Sequence, residues 1–203
     1  IPTMAPYLLP KVLVPLQQAF PNLRIQLTEG QTVNISRMLK HGELDATLLA
    51  LPLGEENVEE IALFDEPFLL AVPAAHPKAD LAYVTCDDLE GEEVLLLEDG
   101  HCFRDQALEV CQTHRGIESK SYSATSLETL RQLVSAGVGV TLIPQLAIPQ
   151  NRNVDDNVCY IPFAAEGSDQ PMRTLGICWR TTSTRGDLLH QVAAVLKQSM
   201  ARL

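Results

Sequence analysis

The sequence predicts an α/β fold, and three observations carry that prediction. Continuous apolar runs of strand length recur along the chain, stretches with helical spacing lie between them, and the helical stretches carry recognisable stop and start residues. With hydrophobic residues at 46% and charged residues at 20% of 203, the chain can bury a real core, in one domain or two modest ones. Disorder is not expected. No apolar run reaches the roughly 18 to 20 residues of a membrane span, so no membrane partner is expected. The opening IPTMAPYLLP has neither a basic n-region nor a small-residue cleavage site.

The elements follow in order. VLVPLQQAF (12–20) reads as a helix bent at Pro15, LRIQLTEG (23–30) alternates like a strand, and VNISRMLKHG (33–42) has helical spacing through Val33, Ile35, Met38 and Leu39, with Gly42 as its stop. ATLLAL (46–51), PFLLAVP (67–73) and EVLLLE (93–98) read as strands, CFRDQALEVCQTH (102–114) as a helix and KSYSA (120–124) as a strand. SLETLRQLVSAG (126–137) reads as a helix and VTLIP (140–144) as a strand. TLGICWR (174–180) and DLLHQVAAVLKQSM (187–200) close the chain as strand and amphipathic helix. Continuous apolar strands between helices point to parallel sheets covered on both faces.

Thr125 with Glu128 predicts a capping box, and Gly137 a left-handed helix end. VPAAHPKAD (72–80) and PFAAEGSDQPMR (162–173) read as crossings between lobes. The expected division is therefore 1–71 plus 168–203 as one subdomain and 72–167 as the other. There is no internal repeat and no low-complexity tract. Ile1 precedes a loop and helix with no strand before them, so more protein is expected upstream.

Lys and Arg number 15 against 26 Asp and Glu, a net charge of -11. A field of that sign repels polyanions, so this segment is not expected to bind nucleic acid by itself. The five cysteines (86, 102, 111, 159 and 178) are odd in number and too sparse for a secreted disulfide scaffold. A reducing cytoplasm fits better.

Cys102 and Cys111 lie nine residues apart in one expected helix. At about 100° and 1.5 Å per residue they face opposite ways with a rise of roughly 13 Å, whereas a disulfide needs Cα atoms within about 7 Å. Either they never pair or pairing dismantles the helix. They are otherwise core residues, or ligands with His101 and His114, although that spacing is not a zinc motif and no C-x-x-C occurs. A hydrolase nucleophile is a further reading, since Cys102 opens a helix where the dipole favours a thiolate, but no nucleophile elbow is present. The last is a redox switch. There a thiolate attacks peroxide, the resulting sulfenic acid condenses with a second thiol, and His101, Arg104 and Asp105 surround the first cysteine.

These residues also resemble a known family. EDGHCFRDQALEVC (98–111) closely resembles the peroxide-sensing segment of certain LysR-type transcriptional regulators, and ATSLETLRQLVSAGVGVTLIP (124–144) resembles the effector-domain signature of LysR-type regulators generally. FDEPFLLAVPAAHP (64–77) and the opening stretch are similar too, so the resemblance covers nearly the whole chain. It implies two Rossmann-like subdomains in the type II periplasmic-binding-protein-like effector-domain arrangement, with a winged helix-turn-helix DNA-binding domain upstream. It also implies that Cys102 is the peroxidatic cysteine and Cys111 the resolving one, with Thr3, Thr32, His101, Arg104 and Asp105 binding peroxide. No metal and no cofactor are implied.

Thr3 and Thr32 otherwise read as helix caps, Asp105 as a first-turn charge, Arg104 as a charge partner, and Cys86, Cys159 and Cys178 as structural. The sequence departs from the resemblance at Phe103, where leucine is expected. The implied function is a stoichiometric sensor and not an enzyme. On this resemblance, hydrogen peroxide is expected to drive a conformational and dimer rearrangement that controls transcription of antioxidant genes. The implied partners are peroxide, a second copy as homodimer or tetramer, glutaredoxin or thioredoxin as reductant, and DNA and RNA polymerase through the full-length protein only. The alternatives are an effector domain binding a small anionic metabolite in an interlobe cleft, at helix N-termini near Thr3, Thr32 and Ser126, and a cysteine peroxidase.

Overall fold

The computed structural model describes residues 1–149, 157–164 and 170–201. It divides into two units, Ile1–Asp65 with Thr174–Leu203, and Glu66–Arg173.

In the first unit, helix α1 (Ala5–Ala19) starts earlier than its apolar pattern predicts and runs through Pro10 and Pro15. It survives two interior prolines because Ala5, Leu8, Val12 and Leu16 form one buried stripe, and tertiary burial outweighs local propensity. That stripe packs on α5 (Gly186–Met200), whose Leu189, Ala193 and Leu196 are buried in turn. Helix α2 (Thr32–Lys40) leads to strand β1 (Thr47–Leu51), which pairs antiparallel with β7 (Met172–Arg180). The first half of β2 (Val58–Pro73) borders β7 on its other side. Gly176 is needed there, because a β-carbon would lie 2.8 Å from the carbonyl oxygen of Ile61 and 2.4 Å from Leu51.

In the second unit, β3 (Glu93–Leu97) and β4 (Ile117–Ala124) pair in parallel, with α3 (Cys102–Thr113) as the crossover between them. Helix α4 (Leu127–Ser135) leads into β5 (Thr141–Pro144), and Val140 just before it bridges Val94 in parallel. The second half of β2 pairs antiparallel with both β5 and β6 (Val158–Pro162). Val94 to Leu97 are all buried, as a strand covered on both faces requires.

Four expectations need correction. Residues 23–30 form no strand; Ile25 and Leu27 are exposed beside a cavity of about 450 Å³ that Leu8, Val12, Leu48 and Leu196 also line. Alternation specifies a strand only where a neighbouring strand accepts its hydrogen bonds. The sheets are not uniformly parallel, since β1 with β7 and β2 with β5 and β6 run antiparallel. The chain passes from one unit to the other within β2, after Asp65, and within β7, after Arg173, rather than at the Pro-rich stretch after residue 72, while the expected boundary at 168 lies outside the described residues. A boundary inside a strand leaves no break in composition to read. The N-cap of α4 is Ser126, whose Oγ accepts from Thr129 N at 3.1 Å, and Glu128 instead accepts from Arg131 and Gln132.

Candidate functional site

Four residues separate helix α3 from the carboxyl end of β3, a common location for reactive groups in α/β folds. Gly100, at φ 92, turns the chain between them. His101 is the N-cap and Cys102 the first helical residue. Phe103, Ala107 and Cys111 recur every four residues and form the buried stripe of the helix. Cys111 is fully buried and Cys102 is half-buried, as their opposite faces require, and all five cysteines are free.

The first turn of α3 is held by side chains from elsewhere in this unit. Arg104 donates from Nε to Asp99 at 2.7 Å and from Nη2 to Glu118 on β4 at 2.9 Å. Burial acts against the Arg104 charge, but these two carboxylates outweigh it and raise its pKa. Its Nη1, and Oε1 of Gln106, are buried without a hydrogen-bond partner. Buried polar atoms in that condition are ordinarily met by ordered water or another small polar molecule.

Phe103 packs edge-on against Phe68 at 5.0 Å, and the guanidinium carbon of Arg173 lies 5.5 Å from the Phe103 ring centroid. Arg173 donates from Nε to Glu66 at 2.7 Å, and Glu66 also accepts from Leu146 N. Both charged side chains are buried. The pair lies 107 residues apart in sequence, and no local signal marks it.

His101, Cys102, Arg104 and Asp105 thus share one turn of the second unit, with Asp105 exposed. Thr3 and Thr32 belong to the first unit. Neither caps a helix: Met4 is the N-cap of α1 and Gln31 that of α2. Thr3 is buried, and Thr32 Oγ1 is buried without a partner. His114 does not join Cys111 but faces Asp87, with Nδ1 3.3 Å from its Oδ1. Among the described residues no cluster of His, Cys, Asp and Glu is arranged to hold a metal ion, and no helix is long and apolar enough to cross a membrane. Cys86 and Cys178 are buried and Cys159 is half-buried. Burial beside Glu60 pushes the Cys178 thiol up to about 12, which keeps it unreactive.

Burial raises the Cys111 pKa, with Glu118 adding to the effect, so this residue stays a thiol. Burial lowers the pKa of His101 below its ordinary 6.5, against an opposing pull from Glu98. The unfolded chain therefore takes up this proton at a higher pH than the folded one. The stability involved is present above about pH 6.5 and is lost as pH falls through the lower folded value. Urea titrations from pH 7 to 5 should show falling stability, with a shallower fall in His101→Gln; identical slopes would remove His101 as a cause.

Comparison with known proteins places this geometry. The model of the LysR substrate binding domain matches residues 1–201. The DNA-binding transcriptional dual regulator OxyR of Escherichia coli strain K12 is 44% identical over 200 residues, 98% of this chain and 64% of that protein. The chain thus spans just under two thirds of the curated relative's length. The crystal structure of the reduced form of OxyR is 42% identical with a TM-score of 0.87, covering 98% of this chain and 92% of that one. The oxidised form gives 44% and 0.87 over the same shares. Likeness to both redox forms, the match across nearly the whole length and the α/β architecture lead to one assignment: the chain belongs to the LysR substrate-binding-domain family, with OxyR regulators as relatives.

Proposed function

We propose that the chain is the regulatory domain of a peroxide-sensing transcription regulator, with Cys102 the peroxidatic and Cys111 the resolving cysteine. One observation carries the reading. Cys102 opens α3 and Cys111 is buried on the opposite face of the same helix, so a bond between them forces the helix to open.

The chemistry balances in two steps. The Cys102 thiolate attacks one peroxide oxygen, forming an S–O bond as O–O breaks and hydroxide leaves to be protonated to water. The Cys111 thiol then displaces the hydroxyl of the sulfenic acid, closing S–S and releasing a second water. His101, Arg104 and Asp105 hold or polarise peroxide at the first turn of α3. The unpartnered Nη1 of Arg104 favours this role.

Opening α3 removes Phe103 and Cys111 from the core and repacks the unit, which changes how two copies associate and so controls transcription. The protein works as a dimer or tetramer in the cytoplasm and reaches DNA and RNA polymerase through the rest of its length. Glutaredoxin or thioredoxin returns the disulfide to thiols. It consumes peroxide stoichiometrically and is not an enzyme.

Thiol trapping is the test. One equivalent of peroxide is added to the reduced protein, which is then alkylated, digested and mapped by mass spectrometry. A rapid Cys102–Cys111 linkage is the expected result. Cys102 still open to alkylation in millimolar peroxide would overturn the reading, and sustained peroxide turnover with a thiol reductant would favour a peroxidase.

A further inference from the structure

Helices that end in a left-handed residue close with a hydrogen bond from the second residue past the cap back to the third-last helical carbonyl, and glycine suits the left-handed position because it has no β-carbon. Among the described residues three helices end this way. At α2, Glu43 N donates to Met38 O at 3.0 Å around Gly42 at φ 80; at α4, Val138 N donates to Leu133 O at 3.1 Å around Gly137 at φ 76. At α3, Gly116 N donates to Cys111 O at 2.9 Å, and the left-handed residue is Arg115, at φ 58.

The cap of α3 therefore differs from the other two in three respects. Its left-handed position carries a β-carbon, which crowds the adjoining carbonyl and disfavours the conformation by roughly fivefold or more. The carbonyl it closes on belongs to Cys111 itself. The glycine is displaced by one position, and there it makes room: a β-carbon on Gly116 would lie 2.8 Å from Cys111 Sγ and 3.3 Å from Val94 Cγ2.

We propose that Arg115 and Gly116 are positioning residues for disulfide closure, forming a deliberately weak cap that sets how readily α3 releases Cys111. The inference rests on the Cys102–Cys111 disulfide of the preceding section. Cys111 cannot leave its helical turn while its carbonyl accepts from Gly116, so the stability of this cap enters the second oxidation step and the redox equilibrium directly. It does not enter the first step, which takes place at the other end of the helix.

The test uses full-length protein carrying Arg115→Gly, Arg115→Ala or Gly116→Ala. Equilibrium with a thiol redox buffer reports the disulfide, and stopped-flow trapping separates sulfenic acid formation, read in a Cys111→Ser background, from closure. Arg115→Gly strengthens the cap of the reduced helix. The equilibrium constant for disulfide formation should fall about fivefold, equivalent to ~20 mV toward easier reduction, and closure should slow while sulfenic acid formation holds its rate. Arg115→Ala removes the exposed ion pair with Glu90 but keeps the β-carbon, and should match wild type.

Gly116→Ala crowds Cys111 and should move equilibrium and closure rate the opposite way; if it fails to fold, the two Arg115 variants still decide. A wild-type disulfide with Arg115→Gly and Arg115→Ala indistinguishable from it would overturn the inference and leave the disulfide reading standing. No Cys102–Cys111 disulfide in wild type would overturn both.

Discussion

Cys102→Ser should abolish peroxide-driven disulfide formation and leave the far-ultraviolet signal of the helices unchanged when peroxide is added. Cys111→Ser should behave differently. Without the second thiol, the Cys102 sulfenic acid has no partner on α3, so it persists long enough to be trapped by a carbon nucleophile and advances to sulfinic acid in excess oxidant. The helix stays closed in both variants because only the crosslink dismantles it. The measurement is intact mass with and without trapping, paired with circular dichroism. Equal oxidation of the two variants, or loss of helix in Cys111→Ser, would separate oxidation from the helix-opening event and remove the mechanism. Cys86, Cys159 and Cys178 sit in a short 3-10 turn, on β6 and on β7 respectively, and their substitution should leave the response intact.

Arg173→Leu should cost about 3–5 kcal/mol, the typical loss when one partner of a buried ion pair is removed and the other stays charged. The pair with Glu66 is buried at both ends, and Glu66 also holds Leu146 N. Arg173 further supports the ring of Phe103, the neighbour of Cys102 on α3, so the variant should loosen the helix as well as lower global stability. The measurement is chemical denaturation of wild type, Arg173→Leu and Arg173→Leu with Glu66→Met. Because desolvation of two charges offsets most of their attraction, the double variant should recover much of the loss. If the single variant loses less than about 1 kcal/mol, the pair is not carried as a buried charge pair.

Legibility followed locality. Helices α3 and α4 and strand β3 were readable because helical spacing, left-handed glycine ends and continuous apolar runs are written within a dozen residues. The first half of β2 was not, since in VEEIALFDE the acidic residues interrupt the apolar ones and only Leu63 and Glu66 are buried. Residues 23–30 gave the opposite error, an alternating pattern with no strand beside it to pair with. In the candidate site, His101, Cys102, Arg104, Asp105 and Cys111 were legible together because one helix carries them. Asp99 and Glu118 as the carboxylates holding Arg104, and Arg173 and Phe68 around Phe103, were not.

The sequence by itself determined that α3 is a helix, that its two cysteines face opposite ways, and that a bond between them requires the helix to break. These are consequences of a period of about 3.6 residues and a rise of about 1.5 Å. Only the tertiary structure decided that Cys111 is the buried one, that its carbonyl closes the cap through Gly116, and that Arg173 and Glu66 meet beside Phe103. Burial and long-range pairing depend on which surfaces the folded chain brings together, and spacing along one helix carries no record of its distant neighbours.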